Sequence, residues 1–197
     1  MAKDTAHWIA YNDGQGEREP RPLCRDVVAL AGPGDGRTAL DLGAGAGIET
    51  RALLADGWRV HAFDTDPHLG ERLARLVGDD AAVTAYVGPV EEADLPDADL
   101  VHASYTLPYV APGRFEEFWQ RLRGAVRPGG WLAVDLFGDQ DSWARDDGIT
   151  SFTRAQAEVL LDGLDVARFD EEDEDGPASS GPKHWHVFHV IARRPVR

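Results

Sequence analysis

The chain has 197 residues, with 35 acidic side chains against 20 basic ones and a formal charge of −15. That length suits one domain with a full core, and that charge argues against nucleic acid as a partner, because tight binding there needs clustered Lys and Arg to displace counterions. A lone Cys24 permits no intrachain disulfide and reads as a packed thiol, no Cys/His spacing matches a structural zinc site, and no apolar run approaches the roughly 18 residues a membrane span requires.

The opening MAKDTAHW lacks a signal-peptide pattern, so the expected location is the cytoplasm. Residues 1–20 carry Trp8, Ile9 and Tyr11 and then the polar run NDGQGEREP; such a segment either packs on the domain edge or folds over a ligand pocket. Leu23, Val27, Val28 and Leu30 predict a helix from Pro22 that Gly32-Pro33-Gly34 ends. Ala39, Leu40 and Leu42 read as a buried strand, followed by glycines at 43, 45 and 47 and a helix over 48–55. Glycines there allow positive φ and leave bare peptide for a ligand to lie against.

A second strand over 58–63 ends in Asp64, about 20 residues past the glycine loop, where a Rossmann-type fold places the acid that binds ribose hydroxyls. A helix from Pro67 to about Gly78 and a third strand over 83–87 follow, then the loop GPVEEADLP. Asp99–Ser104 is the fourth strand, DLVHAS, and its continuation YTLPYVAP is aromatic for a loop; the carboxyl ends of parallel strands face the ligand crevice, which puts Ser104, Tyr105, Thr106 and Tyr109 there. The turn Arg127-Pro128-Gly129-Gly130 leads into a fifth strand, WLAVDLFG, and the polar loop GDQDSWARDDG beyond it. Thr153 and Gln156 form a capping-box pattern before a helix over 154–161. A sixth strand from Leu164 to about Glu171 runs into EEDED and GPASSGP, read as a solvated acidic loop, and KHWHVFHVIARR is the last strand.

The run Asp41-Leu42-Gly43-Ala44-Gly45-Ala46-Gly47, with Asp64, resembles the first two motifs of class I S-adenosylmethionine (SAM) methyltransferases. The stretch DLVHASYTLPY and the Pro-Gly-Gly turn before the fifth strand extend the likeness to small-molecule enzymes of the tellurite-resistance type. The resemblance implies an α/β, Rossmann-like seven-stranded sheet, mostly parallel with an antiparallel last strand and helices on both faces, forming a single domain over 1–197 with residues 1–20 as lid or edge segment. It implies SAM as methyl donor, S-adenosylhomocysteine (SAH) as product and a small-molecule acceptor. The implied donor site comprises Gly43, Ala44 and Gly45 of the loop, Asp41 at the methionine part, Arg21 at its carboxylate with Tyr11, Asp64 and Thr65 at the ribose, Val90 and Glu91 at the adenine, and Ser104. Pro89 departs from the family, which often has aspartate there.

Class I topology starts the last strand on the edge where the donor sits. Alternation puts His184, His186 and Phe188 on one face and Trp185, Val187 and His189 on the other. Lys183, His184 and His186 are expected at the crevice, and His189 as a hydrogen-bonded core histidine. Transfer from a sulfonium mainly requires orientation and exclusion of water; a base is needed only for a protonated acceptor, and histidine, with a pKa of about 6.5, suits that task. The expected catalytic residues are therefore His184, His186 and Tyr105, with no metal, since the histidine pair lacks a third ligand. The acidic rim favours a cationic acceptor, whereas the tellurite-type likeness points to an oxyanion. Two other readings stay open: a SAM- or SAH-binding regulatory or scaffold protein without transfer, and a dinucleotide dehydrogenase, which needs a G-x-G-x-x-G that this chain lacks.

Overall fold

The runs expected as strands pair into one sheet. The computed structural model describes residues 5–16, 18–78, 82–179 and 181–196, so the opening MAKD of the N-terminal segment lies outside the described residues. The helices are α1 (Thr5–Asp13), α2 (Pro22–Ala31), α3 (Ile48–Ala55), α4 (Leu69–Val77), α5 (Pro112–Ala125) and α6 (Arg154–Leu160). The strands are β1 (Thr38–Leu42), β2 (Arg59–Asp64), β3 (Val83–Val87), β4 (Ala98–Ala103), β5 (Val126–Gly138), β6 (Ser151–Phe152), β7 (Asp165–Ala178) and β8 (Gly181–Arg193). Their order is β3-β2-β1-β4-β5-β8-β7, with β6 added to β5. Strands β1 to β6 pair in parallel, and β8 runs antiparallel to both β5 and β7. The expected layout is present, with the two-residue β6 making eight strands where seven were expected.

Alternation along β1 sends side chains to two cores. Ala39 joins Leu100 and Val60 beneath Leu23, Cys24 and Val27 of α2 and Leu53 of α3, while Leu40 and Leu42 join Val101 and Val134 beneath Phe118, Trp119 and Leu122 of α5. Cys24 is a packed thiol, and burial pushes its pKa up. At α6 the capping box forms as expected: Gln156 N–H donates to Thr153 Oγ1, and Thr153 N–H donates to Gln156 Oε1 at 2.9 Å.

The acidic run departs from expectation. It is strand, because β7 continues through it to Ala178 and pairs residue by residue with β8, Glu172 opposite Val187, Glu174 opposite Trp185 and Asp175 opposite His184. Histidines of β8 answer the row of carboxylates: His186 Nε2 lies 2.8 Å from Glu171, and His184 lies 2.8 and 2.9 Å from Asp173 and Asp175. These hydrogen bonds offset the like-charge repulsion that made the run read as a loop. The Pro-Gly-Gly turn likewise falls inside β5, where residues 127–130 bulge out between the pairs Ala98↔Val126 and Leu100↔Trp131.

Candidate functional site

The loop from β1 to α3 and the end of β2 are tied together by one hydrogen bond, Gly45 N–H to Asp64 Oδ2 at 2.8 Å. The other Asp64 oxygen accepts Asp66 N–H at 2.8 Å. Burial outweighs these two bonds and holds the Asp64 pKa above its ordinary value. Gly43 and Gly45 take positive φ, +74° and +54°, but the space beside them belongs to the protein. A Cβ on Gly43 would stand 2.0 Å from Thr106 Oγ1, and one on Gly45 2.9 Å from Asn12 Oδ1. The bare faces of these glycines therefore serve close packing rather than ligand room, and the loop borders open space through its peptides and through Ala44 and Ala46.

That space is a cavity of about 860 Å³. The glycine loop and Asp64 form one end, residues 104–109 line the middle, and the β7–β8 hairpin forms the far wall. Helix α1 closes over it. Asn12 Nδ2 donates to buried Asp66 at 3.0 Å, Arg72 bridges Asp13 at 2.9 Å, and the Trp8 ring packs edge-on to Tyr109 at 4.7 Å. Of the two placements open to the N-terminal segment, residues 5–16 take the one over the pocket. Arg21 Nη2 donates to the Tyr11 hydroxyl at 3.0 Å, and its guanidinium lies 4.9 Å from the Tyr105 ring centroid. Arg18 makes two bonds, of 2.7 and 3.0 Å, to Glu49, holding that carboxyl below its usual range against the opposing effect of burial.

Two buried polar networks support this wall. In the first, Asp41 accepts Thr50 Oγ1–H at 2.6 Å and lies 2.9 Å from His102 Nδ1, both partners being supplied by neighbouring elements. Burial disfavours the charged imidazole, but the Asp41 contact outweighs it and raises the His102 pKa. Nε2 of His102 is buried in the cavity wall without a partner among the described residues. In the second network, Asp135 accepts from Ser104 Oγ at 2.7 Å and from Tyr105 N–H at 3.1 Å, and its other oxygen lies 2.7 Å from His189 Nδ1. His189 Nε2 lies 3.1 Å from Glu172. Tyr105 sits at φ +52°, a strained backbone for a bulky residue, and this network holds it there.

Comparison with known proteins places this geometry. Residues 40–132, from β1 into β5, match the family model for a methyltransferase domain. Over that stretch the chain is similar to a methyltransferase domain. It is similar to a probable ribosomal RNA small subunit methyltransferase A from Methanospirillum hungatei, 35% identical over 51% of this chain and 39% of that protein. A carboxy-S-adenosyl-L-methionine synthase from Ectopseudomonas mendocina is 36% identical over 49% of this chain and 44% of that one. The chain thus spans less than half the length of the curated relatives it matches. Among solved structures, TehB from Haemophilus influenzae superposes with a TM-score of 0.75 at 13% identity, over 96% of this chain and 66% of that chain. The Burkholderia thailandensis 1,6-didemethyltoxoflavin-N1-methyltransferase, solved with bound 1,6-didemethyltoxoflavin and SAH, gives 0.67 at 21% identity, over 97% of this chain and 87% of that chain. At these identities the superpositions speak for the fold, which is that of class I methyltransferases.

The expected donor residues and Tyr105 all line this cavity, from Tyr11 and Arg21 through Asp41, the loop, Asp64 and Thr65 to Val90, Glu91 and Ser104. Pro89, the departure from the family motif, precedes a short 3-10 turn over Val90–Glu92 with φ −61°, the angle its ring presets. His184 and His186 are outside the wall. Alternation was read correctly but the other face of β8 turns to the cavity: Trp185 lies 5.7 Å and His189 6.3 Å from the Tyr105 ring. His184 sits between Asp173 and Asp175, which raise its pKa. His186 accepts Gln140 N–H on Nδ1 at 3.0 Å and bonds Glu171 through Nε2, so neither ring nitrogen is free. Lys183 is buried with Asp141, 2.6 and 2.7 Å from its two oxygens, and burial lowers its pKa. His189 is hydrogen-bonded as expected, but it is half-buried beside Tyr105 rather than in the core, because its face of β8 is the one turned to the cavity. Glu171, Asp173 and His186 bring one ligand atom each within 4.8 Å, on the face away from the cavity, and each already serves the histidine contacts described above. His102, Asp135 and Glu172 were missed; only the pairing of strands distant in sequence brings them together, and no local pattern marks it.

Proposed function

We propose that this chain is a SAM-dependent methyltransferase acting on a small molecule. The observation that carries the reading is the Gly45–Asp64 hydrogen bond, which joins the glycine motif to the acid of the second motif in the wall of one closed-over cavity. The volume lies within the few hundred to about 1,000 Å³ usual for small-molecule sites. The residues fit the donor on a further count: the buried, unpartnered Nε2 of His102 needs a polar group from outside the protein. In this reading Asp64 and Thr65 hold the ribose, Val90 and Glu91 border the adenine, Arg21 and Tyr11 meet the carboxylate, and Asp41 with His102 underlies the methionine part. Helix α1 is the lid. When bound, the donor supplies an activated methyl carbon whose bond to sulfur breaks with the electron pair staying on sulfur.

The chain's own part is to orient the acceptor and exclude water. Among the described residues, neither the tyrosines nor the histidine at the aromatic end is poised as a base. Burial first, then Asp135, pushes the Tyr105 hydroxyl up, burial does the same to Tyr109, and His189 is held between two carboxylates. The acceptor atom therefore arrives with its lone pair already free. No described helix is long and apolar enough to cross a membrane; we read the chain as a cytoplasmic protein without a nucleic-acid partner. Incubation with methyl-labelled SAM and a panel of amines, phenols, thiols and oxyanions tests the proposal, with label expected in at least one small acceptor. SAH binding without transfer to any of them would instead favour a regulatory binding protein.

A further inference from the structure

The charge in this cavity is partitioned. Its basic side chains are Arg18, bonded to Glu49, His102, bonded to Asp41, and Arg21, which bonds Tyr11 and stacks on the Tyr105 ring where the aromatic wall begins. From Tyr105 to the hairpin tip the lining carries two carboxylates, Glu172 and Glu174, and no basic side chain. The pairing of β7 with β8 explains their aim, because Glu172 and Glu174 stand opposite Val187 and Trp185 and share their face, while Glu171, Asp173 and Asp175 turn away to the histidines. Glu174 is exposed and makes no ion pair among the described residues, unlike its neighbours Glu171 and Asp173.

Between these carboxylates and the loop stand Tyr105, Tyr109, Trp143 and Trp185. Three of these rings already bind cations supplied by the chain. Lys183 Nζ lies 3.7 Å from the ring centroids of both Trp143 and Trp185, and Arg21 lies 4.9 Å from that of Tyr105. Asp141 neutralises the lysine through two contacts, so its charge does not oppose a second cation nearby. A wall of electron-rich rings ending in Glu174, which has no ion pair among the described residues, and in Glu172, whose one such contact is His189 at 3.1 Å, repels oxyanions and attracts positive charge.

We propose that the acceptor is a cation whose positive charge seats between this aromatic wall and Glu172 and Glu174, away from the atom that is methylated. The separation is required by chemistry, since a protonated nitrogen has no lone pair to form the new bond to carbon. The inference rests on the methyltransferase reading and decides between the two acceptor classes, cation and oxyanion, left open by the sequence.

The test uses the full chain, free and loaded with SAH, and three probes of matched shape: choline, 3,3-dimethylbutan-1-ol and 3,3-dimethylbutanoate. Binding is followed by tryptophan fluorescence and calorimetry. Choline is expected to bind at least about tenfold more tightly than the neutral alcohol, the ratio one desolvated cation–ring contact provides, and the carboxylate more weakly than both. Glu174→Gln, at an exposed position, is expected to narrow the ratio, and Glu172→Gln with Glu174→Gln to bring it close to one. Equal or tighter binding of the alcohol or the carboxylate overturns the proposal. So does a ratio that the substitutions leave unchanged, or binding of none of the probes by a chain that binds SAH. Failure to bind SAH overturns the donor reading instead, and the ratio measured on the free chain still decides the charge of the acceptor.

Discussion

Asp64 is the side chain whose titration reports on the site. Its pKa lies above the ordinary 3.8 because burial outweighs the bonds from Asp66 and Gly45, and only the ionised carboxylate accepts hydrogens from both ribose hydroxyls. Affinity for SAH should therefore fall as pH drops through a midpoint above 3.8, and calorimetry between about pH 7 and pH 4 reads it. Asp64→Asn is expected to remove that dependence and to weaken binding by about 2 kcal/mol; a pH-independent affinity in the unaltered chain would contradict the assignment. Asp41 is a structural counterpart. Both it and His102 are almost fully buried, so Asp41→Ala should cost about 3–5 kcal/mol in urea melts, much of it from stranding His102. At this scale the glycines and Asp64 were legible because their local spacing dictates loop and strand end. The Asp41–His102 pair was not, since it depends on β1 lying beside β4 in the register Asp41↔His102. Strand alternation placed His184 and His186 together but could not say which face meets the cavity.

At the scale of elements, the β7–β8 hairpin does two jobs with one alternation. Its cavity face carries Glu172, Glu174, Trp185 and His189, and its outer face carries His184 and His186 among carboxylates. His184→Gln and His186→Gln are accordingly expected to leave methyl transfer unchanged from about pH 6 to pH 9, while His186→Gln lowers stability by about 1–2 kcal/mol through its lost bonds to Gln140 and Glu171. A rate that collapses at high proton activity in the parent but not in either variant would restore a base on this strand. Composition hid the hairpin: six consecutive acids, residues 170–175, look like a solvated loop until the histidines 9 to 15 positions away from their partners are set beside them. Helix α1 was legible only as a choice of two placements. Its fastening to Asp66, Arg72 and Tyr109 spans more than fifty residues of chain, and no pattern within α1 specifies those partners.

For the whole molecule, the strands and crossover helices follow from short, strongly patterned segments, whereas the sheet layout and the antiparallel last strand were implied by the resemblance to class I methyltransferases, which is why the architecture could be read ahead of the site. The net charge of −15 adds one consequence. Despite the likeness to a ribosomal RNA enzyme, the chain should give no salt-dependent shift of structured RNA at about 0.1 M salt, because it has too few clustered cations to release counterions; a clear shift would reopen nucleic acid as a substrate. The central claim is that the Gly45–Asp64 junction seats an adenosyl donor beneath α1. A crystal structure of the chain soaked with SAH tests it most directly, with the ribose hydroxyls expected on Asp64 and the amino-acid end between Arg21 and His102. SAH bound elsewhere on the sheet, with Asp64 untouched, would contradict the account.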